Sequence, residues 1–73
     1  MAWLTVYVSD AELVEDLIAS FRLGGCAASR TGPRSCSVDH ASAVDEHEAR
    51  IEVAFFLRVW RTRHGRVRVL LAP

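Results

Sequence analysis

The chain has 73 residues and a mass of 8.1 kDa, the size of one domain. Hydrophobic residues make up 51% and charged residues 25%, a balance that excludes a disordered or collagen-like chain. Nine basic residues offset nine acidic ones, so the formal charge is zero, unlike the basic balance usual in a dedicated nucleic-acid binder.

Every basic residue is arginine, and Lys, Asn and Gln are absent. The simplest source of that bias is GC-rich coding, so the arginines need not mark a site selected for bidentate recognition. No apolar run reaches the roughly 18 residues needed to cross a bilayer, so no membrane partner is expected. Met1 to Tyr7 carries no basic region ahead of its apolar stretch, which argues against a secretory signal. Two cysteines are too few for a disulfide scaffold, and the chain reads as cytoplasmic.

In chain order, Trp3 to Val8 alternates, with Leu4, Val6 and Val8 on one side and Trp3, Thr5 and Tyr7 on the other. Aromatic and β-branched residues throughout predict a strand. Ser9 and Glu12 fit a capping box for a helix whose stripe is Val14, Leu17, Ile18 and Phe21. Gly24 and Gly25 are placed to stop it. The middle predicts two short strands, Cys26 to Arg30 and Ser35 to Asp39, joined by a turn at Thr31 to Arg34.

Ser42 to Arg63 has two readings. Ile51, Val53, Phe55, Leu57 and Val59 alternate as a strand would. Against that, Ser42 and Asp45 form a second capping box. Acids come early and arginines late, and Ala41 to Arg50 is strongly helix-forming. Helix is the favoured reading. Arg66 to Ala72 alternates Val67, Val69 and Leu71 and predicts a closing strand.

The order β-α-β-β-α-β suggests an α+β fold, the ferredoxin-like split β-α-β, as a single domain over residues 1–73. Its antiparallel four-stranded sheet would carry both helices on one face. Right-handed crossovers would set the first strand in the middle, beside the last. Leu4, Val6, Val8, Val67, Val69 and Leu71 would then face the helices, leaving Trp3, Thr5, Tyr7, Arg68 and Leu70 on the open face.

The second helix carries more apolar surface than a two-layer domain needs. Val44, Ile51, Phe55 and Val59 share one side; Val53, Phe56, Leu57 and Trp60 cluster nearly opposite. The first set is expected in the core. The second is expected to meet another protomer, with Trp60 contributing most, because a small domain is marginal alone. The expected function is therefore a non-enzymatic, homodimeric binding or regulatory module. Its ligand is not legible.

The stretch Leu4-Thr5-Val6-Tyr7-Val8, followed by Glu15-Asp16-Leu17 and Phe21, resembles the first strand and helix of the ribonucleoprotein RNA-recognition domain. That resemblance implies the same strand order and a base-stacking role for Tyr7. The strand Ser35-Cys36-Ser37-Val38-Asp39 departs from the family by lacking the glycine and aromatics of its second motif. The alternative function is accordingly RNA binding, on a surface of Trp3, Tyr7, Arg58, Arg61, Arg63, His64, Arg66 and Arg68. The order and size are also similar to small-molecule sensing domains of the ACT type, but the turn Val8-Ser9-Asp10-Ala11 lacks the Pro-Gly pair common there.

Cys26 and Cys36 would face each other across the hairpin in one register and not in the next. Reduced, separate thiols are expected. Cys36, Asp39, His40 and His47 contain ligand types for zinc but match no strong spacing, so no metal or other cofactor is expected. No glycine-rich phosphate loop or nucleophile motif is present, and no catalytic set is assigned.

Overall fold

The computed structural model describes residues 3–73; Met1 and Ala2, which open the apolar N-terminal stretch, lie outside the described residues. Strands β1 (Trp3–Val8), β2 (Ala27–Gly32), β3 (Ser35–Asp39) and β4 (Val69–Leu71) form one antiparallel sheet in the order β2-β3-β1-β4. Helix α1 (Val14–Leu23) follows β1, and α2 (Glu46–Arg61) joins β3 to β4. No helix among the described residues is long and apolar enough to cross a membrane.

The alternation in β1 is realised. Leu4, Val6 and Val8 are buried, while Trp3 and Tyr7 are exposed on the opposite face. β1 lies between β3 and β4, with Val6 opposite both Cys36 and Leu71. The β2-β3 hairpin has an irregularity between Arg30 and Gly32. A Cβ at Gly32 would sit 2.7 Å from Ser35 Oγ, so any side chain there has to displace that hydroxyl.

The cap of the first helical segment lies one residue beyond the expected one. Asp10 accepts from the Glu12 amide at 2.9 Å and opens a short 3₁₀ turn, Ala11–Leu13, ahead of α1. Ser9 Oγ is engaged elsewhere, accepting from the Arg68 amide at 2.8 Å and tying the end of β1 to the approach to β4. At the other end, Gly25 adopts φ 89°, and the amides of Gly25 and Cys26 return to the carbonyls of Arg22 and Phe21. This is the Schellman stop that the glycine pair predicts.

Residues 51–60 are helical. α2 starts later than expected: Asp45 is its cap, accepting from the Glu48 amide at 2.8 Å, while Ser42 Oγ lies 3.3 Å from His40 Nδ1. The strand-like alternation is divided by the helical turn, because i and i+4 share a face. Val53 and Leu57 point in; Ile51, Phe55 and Val59 point out.

The assignment of the two α2 stripes is therefore reversed. Val53, Leu57 and Trp60, expected at a protomer interface, are buried with Ala49, and Phe56 is half-buried against the core. Val44, Ile51, Phe55 and Val59, expected in the core, are exposed. Polar and steric fit decide the rotation. Trp60 Nε1 reaches Asp16 Oδ2 at 3.0 Å, Phe56 stacks on Phe21 with ring centroids 4.6 Å apart, and Ala49 presents the smallest side chain of the inward stripe. The resulting core joins one sheet face to both helices through Leu4, Val6, Val8, Leu17, Phe21, Val38, Val53 and Trp60. Val67 is buried, whereas Val69 and Leu71 are only partly so.

Candidate interaction surfaces

The outer side of the helix layer carries a stripe of unpartnered apolar side chains. Ile51, Phe55 and Val59 follow one another at one-turn intervals and are 56%, 64% and 45% exposed. Across the groove on α1, Leu23 is 90% exposed. Gly24, Phe56 and Val59 border the whole groove; Glu52, His40 and Phe55 lie at one end, Leu23 and Arg63 at the other. The close approach at Gly24, where a Cβ would meet the Phe56 ring at 3.4 Å, brings the two helices together at its floor.

The open sheet face is a second surface. Tyr7 stands opposite Leu70, both exposed, and Trp3 lies at the far end of β1 opposite Asp39. Hydroxyls surround the aromatics: Ser29 and Ser37 are 3.3 Å apart, Thr31 and Ser35 2.9 Å. Tyr7 borders a depression with Ala11, Pro33, Arg34 and Ser35. Arg34 had no place in the sequence-derived surface. The only signal for it was its position after Pro33, in a turn whose partner strand could not be read locally.

The expected arginine surface is dispersed. Arg58 and Arg61 line a shallow hollow with Thr62 and Gly65 at the end of α2. Arg63 belongs to the helix-layer groove, and Arg68 leads into β4 next to Ser9. Arg66 is exposed between them. His64 does not join this group. Its Nε2 lies 3.0 Å from Asp16 Oδ2, and its ring packs on Trp60 with centroids 4.3 Å apart. Trp3 sits at the opposite end of β1 from Arg68, so the eight residues do not make one surface.

Other arginines are spent on the scaffold. Arg22 donates twice to the Ala28 carbonyl, at 3.1 and 2.8 Å. Arg30 pairs with Glu15 at 3.0 Å and donates to the carbonyls of Ala11, Gly32 and Pro33, pinning the hairpin to the start of the first helical segment. Arg50 reaches the Ala72 carbonyl at 2.6 Å, fastening the end of the chain beyond β4 to α2.

The cysteines do not face each other. Cys36 is opposite Arg30, and Cys26 precedes β2 at the other end of the hairpin. Both are free thiols. Burial, with a smaller contribution from Glu15, pushes the Cys36 thiol up to about 11. Burial, and then Asp39, raises Cys26 as well. Neither environment favours the thiolate needed for nucleophilic or ligand chemistry. Among the described residues, no three His, Cys, Asp or Glu side chains are grouped to hold a metal ion.

No protein family, curated protein or solved structure matches this chain.

Proposed function

We propose that this chain is a non-catalytic, self-associating binding module of the ferredoxin-like split β-α-β type, assembled through the outer face of its helix layer. The fold reading rests on the chain order together with β1 flanked by β3 and β4 in an antiparallel sheet. Two free cysteines that do not face each other suit a reducing cytoplasm.

The observation that carries self-association is the stripe Ile51, Phe55 and Val59 with Leu23 across the groove, all exposed on a helix layer that already has a complete core beneath it. Full burial of a large apolar side chain contributes roughly 1.5–3 kcal/mol. Association costs at least about 4 kcal/mol, and a two-fold interface uses each side chain twice. Four such residues per protomer are the right scale. Sedimentation velocity tests this: the wild type is expected to run as a dimer at about 100 µM and Phe55→Ser as a folded monomer. A monomeric wild type removes the reading.

A second reading, single-stranded RNA on the open sheet face, is favoured by Tyr7 lying beside Arg34 at one depression. Binding of this kind should weaken with added salt and with Tyr7→Ala. Absence of binding to a mixed-sequence single-stranded RNA at low salt removes it.

A further inference from the structure

The charges along α2 say how two copies would meet. Its acids, Glu46, Glu48 and Glu52, lie in the first half, and Arg58 and Arg61 close the second, with Arg63 just beyond. Arg50 is the exception, and it turns away to bond Glu46 and the Ala72 carbonyl. The apolar groove inherits this polarity. Glu52 stands at one end and Arg63 at the other, with Phe56 and Val59 between them. Neither Glu52 nor Arg63 has an ion-pair partner among the described residues.

We infer that the partner on this face is a second copy of the same chain, with its α2 antiparallel across a two-fold axis passing between Phe55 and Val59. This rests on the self-association argued above and adds its geometry. The symmetry makes Phe55 of each copy pack on Val59 of the other, ridge against groove. It also brings Glu52 of each copy to Arg63 of the other, so that both ends of the groove close on an opposite charge. A parallel arrangement sets acids against acids and arginines against arginines along the same stripe, which opposes association. One surface thus supplies both the apolar contact and its own complement, which a surface evolved for an unrelated partner has no reason to do.

The test compares Glu52→Arg, Arg63→Glu and the double variant Glu52→Arg/Arg63→Glu by sedimentation velocity, with circular dichroism melts to confirm folding. Both sites are exposed, Glu52 within α2 and Arg63 just beyond it, so the variants should fold. Each single reversal places like charges at both ends of the interface and is expected to weaken the dimer about tenfold or more. The double variant exchanges the charges and should regain the wild-type dimer. A dimer that tolerates both single reversals, or a double variant no stronger than the singles, overturns the antiparallel pairing and leaves self-association standing. A wild type that is monomeric at about 100 µM overturns both.

Discussion

The indole N–H of Trp60 donates to a carboxylate oxygen of Asp16 at 3.0 Å, joining residues 44 positions apart. The same oxygen lies 3.0 Å from His64 Nε2, and the imidazole packs on the indole. The first turn of α1 is thereby tied to the last turn of α2. Trp60 is only 3% exposed, and a buried indole N–H without an acceptor would carry a desolvation penalty.

It follows that Trp60 is a stability residue rather than an assembly residue. Trp60→Ala should destabilise the fold by about 3–5 kcal/mol, the range for a large buried aromatic. At concentrations low enough for the chain to be monomeric, Phe55→Ala should change stability by no more than about 0.5 kcal/mol, as is usual for an exposed site. Urea titrations monitored by circular dichroism distinguish the two; equal losses would place Phe55 in the core.

The caps make a sharper local test. Asp45→Ala removes the acceptor of the Glu48 amide and should cost about 1 kcal/mol. Ser42→Ala, outside the helix, should cost a few tenths at most. The reverse ranking in thermal melts would restore the earlier helix start expected from Ser42.

Gly32 and Ser35 should show coupling. A Cβ at Gly32 collides with Ser35 Oγ, which lies 2.9 Å from Thr31 Oγ1, so the hydroxyl must leave that contact to make room. Gly32→Ala is expected to cost about 1 kcal/mol, and a smaller amount when Ser35 is already alanine. A double-mutant cycle with no coupling energy would contradict the close approach.

Alkaline pH should weaken the fold through Cys36. Its folded thiol titrates near 11, above the roughly 8.5 of an unfolded cysteine. The unfolded chain therefore loses its proton first. The stabilisation is complete below about pH 8.5, declines as pH rises, and is gone above the folded value of about 11. Cys36→Ala should lower stability near pH 7 through the small cavity and flatten the decline between pH 8.5 and 11. Denaturant midpoints across that range check it, and identical pH slopes for the two proteins would rule it out.

Local chemistry was sufficient for much of this molecule. The alternation of Trp3–Val8, the stripe from Val14 to Phe21 and the Gly24-Gly25 stop each depend on neighbouring residues, and each is realised where the pattern lies. The bounds of β3 were legible for the same reason. The second helix was legible as a helix but not as an orientation. Both of its apolar stripes are hydrophobic enough to pack against a sheet, so the pattern along the chain does not say which one turns inward. What separates them is contact with residues far away in sequence: an acceptor on Asp16 for the Trp60 indole, and the Phe21 ring for Phe56. The candidate site moved with that choice, from Val53, Phe56, Leu57 and Trp60 to Ile51, Phe55 and Val59. Periodicity determines which side chains share a face of a helix. Only tertiary packing decides which face the core takes, because that depends on specific polar and steric partners brought together by the fold.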